Sequence, residues 1–390
     1  MFLRVLIKAG SRYDTKSGTA HFLEHMLCAG SKNFLSKDLL AEYIENVGGK
    51  FALSTDGEFI RIDLEAPEAG DLPTILTVLD EMLNNSLFNP DSFETERGSI
   101  FTEFLNRKSN QKEFVWEVYR RLFFQQTELS KSNLGDEDSI KSITNSDILE
   151  FKNRRFARDN FTVISSGDID VQILADGLKK IFPSRINEFV VSETLPIIRE
   201  KWSDIEPYNS KQVNIIIGYR IPALNILSKV CGDICGEFLA GSRSSFFNKE
   251  LRYKRGLVYS VSYIHKFYED AGVLAIRTDC EKSRFEEVLK IITEEFKNLS
   301  ENSISSEKLE LVKNKIIKSF KIKLQTSESW VTQNEILTTV SDNKSILDYI
   351  NILEKISEKD MGDYLKNTFK EEHLFLALCG DKTISDDLNK

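Results

Sequence analysis

No uninterrupted apolar stretch of this 390-residue chain reaches the roughly 18 residues that a helix needs to cross a bilayer. The opening MFLRVLIKAG is too short for a signal-peptide core and lacks a small-residue cleavage site, so the chain reads as soluble, unexported and cytoplasmic, without membrane insertion. Cysteine is scarce. Cys28, Cys231, Cys235, Cys280 and Cys379 are odd in number and widely scattered, which excludes a secreted disulfide framework and fits a reducing compartment. Cys231 and Cys235 stand one helical turn apart in KVCGDICGEF, but no second pair or Cys-x-x-Cys spacing accompanies them. They read as small apolar residues on one helix face. Positive charge does not dominate: a formal charge of −9 argues against a nucleic-acid partner, whose phosphates call for clustered Lys and Arg. The Lys-rich run 308–323 alternates with apolar residues at helical spacing and reads as the solvated face of an amphipathic helix. Phosphate-binding loops and nucleophile elbows are absent as well, since GSRSS (241–245) lacks the strand-turn-helix context they require.

What is present, 41% hydrophobic and 29% charged residues, is the composition of a soluble globular protein with room for two or more domains. FLRVLIKAG and EFIRIDLEAP read as strands, whereas 19–29, 36–47, 71–86 and 91–126 carry helical apolar spacing. The stretch 190–212 breaks both periods, with Pro196 and Pro207 inside it and Pro183 just upstream, and is the expected linker. Beyond it the order repeats: a strand over 213–221, a helix, a strand pair within 256–279, then helices near 282–299 and 305–323. Pairing Gly48 with Gly256 sets an offset of about 208 residues. The expected fold is α+β, two similar α/β-sandwich domains from an internal duplication, each a mostly antiparallel sheet packed with helices. Their bounds are 1–189 and 213–390, and paired histidines occur in the first copy alone.

The chain has four histidines, and two of them bracket a glutamate in GTAHFLEHMLCAG (18–30). On a helix, His21, Glu24 and His25 share a face. Two imidazoles one turn apart suit Zn²⁺, which at a catalytic site takes a third protein ligand and keeps one position for water. Glu24 is placed to take the proton from that water. The order His-x-x-Glu-His inverts the commoner zinc-protease motif, as in inverzincins. His265 and His373 read as ordinary surface or packing residues. A distant acidic helix is announced by Asn89, Pro90 and Asp91, and in it Glu96 and Glu103 are two turns apart and share a face.

At ERGSIFTE (96–103), 78 residues beyond His25, the sequence resembles the M16 family of zinc metallopeptidases, the group of pitrilysin, insulin-degrading enzyme and the mitochondrial processing peptidases. The resemblance implies that Glu103 is the third zinc ligand and that Glu96 orients a ligand or assists catalysis. LAGSRSSFFNKELRYKRGLVYSVSY (239–263) is similar to the family's late motif, where an arginine and a tyrosine seven residues apart bind substrate backbone. Here these are Arg252 and Tyr259, whose donors suit a carbonyl that gains negative charge. Many members carry Gly-Gly-x-x-Asn-Ala in the strand beside the zinc helix. This chain has GGKFALST (48–55), with Phe51 at the asparagine's place and Phe51 and Ala52 as substrate-binding positions. Relatives usually carry further strands before the one that starts here at Phe2, so either the sheet lacks an edge element or its start is misassigned.

The resemblance thus implies a zinc endopeptidase for unfolded or extended peptides, which bind by strand addition to a sheet edge inside a closing chamber. Water on the zinc, activated by Glu24, attacks the scissile carbonyl, with Arg252 and Tyr259 steadying substrate and oxyanion. Relatives of this length form two-chain assemblies, so a homodimer, or a heterodimer with a related subunit, is expected. The rival reading is a non-catalytic scaffold or partner subunit of a peptidase or respiratory complex, although such relatives typically lose a ligand or the base. A purely structural zinc site would call for four protein ligands and no glutamate base.

Overall fold

The computed structural model describes residues 1–125, 127–186, 201–223, 225–340 and 344–384. The chain packs as two units. One comprises Met1–Asn106, Thr127–Glu193 and Leu324–Glu335, the other Arg107–Gln126, Thr194–Lys323 and Ile336–Lys390. Among the described residues no helix is long and apolar enough to cross a membrane.

In chain order the first unit contributes β1 (Phe2–Ile7), α1 (Thr19–Cys28), α2 (Lys37–Glu45), β2 (Lys50–Thr55), β3 (Ile60–Glu65), α3 (Leu72–Asn84) and α4 (Pro90–Ser109). After α5 (Gln111–Phe123) the chain continues through α6 (Glu137–Ser142), α7 (Asn145–Arg155), β4 (Phe161–Ser166) and α8 (Val171–Ile181). The four strands form an antiparallel sheet in the order β2-β3-β1-β4. In β3 the side chains alternate, Ile60, Ile62 and Leu64 buried and Arg61, Asp63 and Glu65 half-buried, as a two-residue repeat requires. Leu3, Val5 and Ile7 of β1 join the same core as Phe22, Leu23, Met26 and Leu27 of α1 and Ile75, Val78 and Leu79 of α3.

The second unit contains β5 (Ser203–Pro207), β6 (Gln212–Pro222), α9 (Ile226–Ala240), β7 (Val258–Phe267), β8 (Ala271–Glu281), α10 (Phe285–Asn302) and α11 (Ser306–Lys323). Then follow α12 (Ser327–Val340), which starts in the first unit, α13 (Ile346–Lys355), α14 (Glu358–Thr368) and β9 (Leu374–Gly380). Its sheet has the order β5-β9-β6-β8-β7, with only β5 and β9 parallel. The duplication is visible in this order: β7-β8-β6-β9 repeats β2-β3-β1-β4 position for position. Gly48 and Gly256, at the entries to β2 and β7, both adopt left-handed φ, +72° and +61°, a region open to glycine and strained for most side chains.

Three expectations need correction. The helical spacing over 91–126 belongs to two helices, because the Asn110 side chain accepts from Lys112 N–H at 3.1 Å and caps α5. Of the expected linker, 190–200 lies outside the described residues, while Ser203–Pro207 is a strand, held by parallel pairing with β9. The units also are not two contiguous halves. Residues 107–126 pack in the second because α5 buries Val115, Val118, Tyr119, Leu122 and Phe123 there, Phe123 meeting Phe375 of β9 at 5.5 Å. Residues 324–335 pack in the first, where Glu335 accepts from Arg4 and Arg61 at 2.7 and 2.6 Å. Cys231 and Cys235 are both buried on α9, as the apolar reading expects.

Candidate metal centre

Burial of Phe22, Leu23, Met26 and Leu27 turns α1 so that His21, Glu24 and His25 lie together on its remaining face. The start of the helix is held by Asp14, whose carboxylate accepts from the Gly18 and Ala20 N–H groups at 2.8 Å each. A carboxylate there satisfies N–H groups that the helix cannot pair and complements its dipole. The two imidazoles sit edge to face with ring centroids 4.7 Å apart.

The second carrier is α4. Phe93 stacks on Phe22 of α1 with centroids 4.6 Å apart. Arg97 lies over the Phe93 ring at 4.9 Å and donates to the Ile143 carbonyl at 2.8 Å and to the Ile140 carbonyl. These contacts fix the rotation of α4 and direct Glu96 and Glu103 to the histidines. His21 Nε2 and His25 Nε2 lie 3.4 and 4.0 Å from Glu103 Oε2. One donor atom from each of His21, His25 and Glu103 fits within 4.8 Å of the others. Bonds of about 2.0–2.2 Å in a tetrahedron separate donor atoms by roughly 3.3–3.6 Å, a spacing that the His21–Glu103 pair already has and that the His25–Glu103 pair exceeds slightly, so the two nitrogens and the oxygen suit zinc after a small closure. Glu103 is 40% exposed, which leaves the cluster open on its side.

His25 Nδ1 lies 2.7 Å from Glu96 Oε2. With its proton shared there, the ring keeps the Nε2 lone pair for a metal. The His25 hydrogen bond holds the Glu96 carboxyl below its ordinary range. Glu24 is not one of the three converging donors. Its Oε2 accepts from the Thr55 hydroxyl at 2.7 Å. Burial raises the Glu24 pKa, opposed by Thr55 and His25 and reinforced by Glu103. A carboxylate made more basic and held beside a cluster of metal donors is suited to accepting a proton.

The remaining expected residues lie elsewhere. Arg252 belongs to a π-helical turn, Asn248–Lys254, and Tyr259 to β7 in the second unit. Arg252 Cζ is 5.2 Å from the Tyr259 ring centroid, a cation–π contact, and Tyr259 is 75% exposed. Phe51 and Ala52 occupy opposite faces of β2, Phe51 packed against the core and Ala52 exposed. Counted from Gly48 and Gly49, the family's asparagine position falls on Ala52, not Phe51. Thr55, Asp14 and Arg97 escaped the motif reading because their partners are distant or their contacts run to backbone. The two-residue alternation of β2 does put Thr55 on the inner side.

Residues 2–137 match the family model of insulinase, peptidase family M16, and residues 142–316 match that of the peptidase M16 inactive domain. An uncharacterized zinc protease of Rickettsia felis is 23% identical over 374 residues, covering 91% of this chain and 89% of that protein. The human mitochondrial-processing peptidase subunit beta is 26% identical over 314 residues, 77% of this chain and 64% of that one. Among solved structures, a peptidase M16 inactive domain from Pseudomonas fluorescens superposes with a TM-score of 0.86 at 16% identity, covering 98% and 93% of the two chains. A protease from Helicobacter pylori gives 0.82 at 20% identity, covering 97% and 93%. Two adjoining family models, two units with one strand order and the His-x-x-Glu-His helix agree: the chain belongs to the M16 peptidase family.

Proposed function

We propose that this protein is a zinc-dependent endopeptidase that hydrolyses unfolded or extended peptides. The carrying observation is Glu24, a carboxylate with a raised pKa, buttressed by Thr55 and set beside His21, His25 and Glu103 without being one of the donor trio. A closed structural zinc site has no use for such a group. Nε2 of His21, Nε2 of His25 and a carboxylate oxygen of Glu103 are the atoms that would hold the ion. Bound there, zinc supplies Lewis acidity, polarising a peptide carbonyl and acidifying water.

The chain's own residues do the rest. Glu24 takes a proton from the attacking water and passes it to the leaving amine. Glu96 keeps His25 in the tautomer that leaves Nε2 free. Arg252 and Tyr259 carry donors of the kind that suit a substrate carbonyl gaining charge. Peptide adds as a strand to the outer edge of β2, where Ala52 stands. On this reading the zinc-binding domain is built on 1–189 and the domain without zinc ligands on 213–390, with residues 107–126 packing in the second and 324–335 in the first. It includes a homodimer, or a heterodimer with a related subunit, and a cytoplasmic setting consistent with five free, buried cysteines.

The test is cleavage of a quenched fluorescent peptide library by wild type and Glu24→Gln, with bound zinc assayed in both. Zinc in both proteins, cleavage by wild type alone and silencing by a chelator are expected. Zinc in both with cleavage by neither would favour the non-catalytic subunit instead.

A further inference from the structure

β2 is the outermost strand of the first unit's sheet, paired with β3 alone among the described residues. Phe51, Leu53 and Thr55 point inward from it, while Lys50, Ala52 and Ser54 are exposed. At the Thr55 end this strand touches Glu24. At the Phe51 end it faces α2 across a groove of about 510 Å³, within the range of about 300–1,000 Å³ typical of ligand pockets. Ala41 and Ile44 of α2 and Phe51 of β2 make its apolar lining, and Lys37, Asp38 and Glu45 make its rim. Lys50 also reaches it, but its ammonium is engaged by Glu65 at 2.8 Å. The rim carries both signs of charge, so the groove has no electrostatic reason to choose a charged side chain. Its apolar lining favours an apolar one.

From Thr55 to Phe51 is four residues, about 13 Å of extended chain. Every strand pair in this sheet is antiparallel, and a peptide continuing that pattern runs from the Thr55 end toward Lys50. Its residues over the groove then lie on the carboxyl side of the bond nearest Glu24. We infer that the groove between α2 and β2 is a specificity subsite. It takes a bulky apolar side chain, such as leucine or phenylalanine, three to five residues to the carboxyl side of the scissile bond. This rests on the peptidase reading, and it names what decides which peptides are cut.

A labelled peptide of Gly, Ser and Thr with one leucine moved through each position tests it. Binding to the Glu24→Gln protein is followed by fluorescence anisotropy. One leucine position should tighten binding about tenfold or more, the order expected for burying one such side chain. That preference should vanish when Ala41→Trp fills the groove and weaken in Phe51→Ala, which removes one wall. The second variant decides the matter if the first does not fold, as read from its thermal midpoint. No positional preference, or one that survives the substitutions, overturns the subsite. Mass spectrometry of wild-type products then locates the preferred leucine relative to the cut, and a place on the amino side overturns it too. A wild type that cuts no peptide defeats the peptidase reading, while the binding comparison still decides the groove.

Discussion

The hydroxyl of Thr55 donates to Glu24 Oε2 at 2.7 Å, joining the sheet-edge strand to the carboxylate beside the donor cluster. Position along β2 and the basicity of Glu24 are therefore coupled. Thr55→Val keeps the shape and removes the donor. The carboxylate then loses a partner that stabilises its ionised form, and its pKa rises further. The acid limb of the kcat/KM profile should move to higher pH, and kcat should fall about tenfold, with zinc content unchanged. An unshifted acid limb would show that Thr55 does not tune the base.

Glu96 makes a separate prediction. Because it orients His25 through Nδ1, Glu96→Gln should weaken zinc binding about 10- to 100-fold. The lost activity should return on raising free zinc. Titration with a chromophoric chelator gives the affinity directly, and wild-type affinity with lost activity would assign Glu96 to the chemistry instead.

On the sheet face that meets α12, Glu335 accepts from both Arg4 and Arg61, while Asp63 engages Arg4 and Asp56 engages Arg61. Arg4 is buried. Glu335→Ala leaves two guanidiniums undercompensated and should cost on the order of 2–3 kcal/mol. Urea unfolding reads this as an earlier transition. A midpoint equal to wild type would mean that Glu335 does not stabilise the first unit.

The second unit holds a pH-dependent element. Asp233 meets His265 Nδ1 at 2.6 Å, Lys229 Nζ at 2.7 Å and the Tyr349 hydroxyl at 2.8 Å. Burial pushes the Asp233 pKa up, but Lys229 and His265 outweigh it and hold the carboxyl well below its usual range. Burial lowers the His265 pKa, against the pull of Asp233. Both depressed values act in one direction, since the unfolded chain binds more protons than the folded one. Stability should decline first below about pH 6.5 as unfolded His265 gains its proton, and again below about pH 4 as unfolded Asp233 does. Asp233→Asn should cost on the order of 3 kcal/mol at pH 7 and flatten the lower limb. Urea midpoints at pH 7, 5.5, 4 and 3 measure both effects, and parallel curves for the two proteins would refute the assignment.

Much of the site was legible in one dimension because it rests on helix geometry. His21, Glu24 and His25 share a face by virtue of 3.6 residues per turn, and Glu96 and Glu103 do so two turns apart. The repeat of strand and helix order, with Gly48 and Gly256 marking equivalent turns, followed from local periodicity in the same way. Tertiary packing decided which face of α4 meets α1, through Phe93 on Phe22 and Arg97 on two carbonyls. It also decided that Glu96 serves His25, that Thr55 holds Glu24, that β2 is the outer strand and that Glu335 returns to the first unit's sheet. Periodicity reports which side of an element is apolar, a property set by neighbours within a few residues. A hydrogen bond between groups 31, 71 or 331 positions apart leaves no mark in that pattern and exists only once the core has brought the elements together.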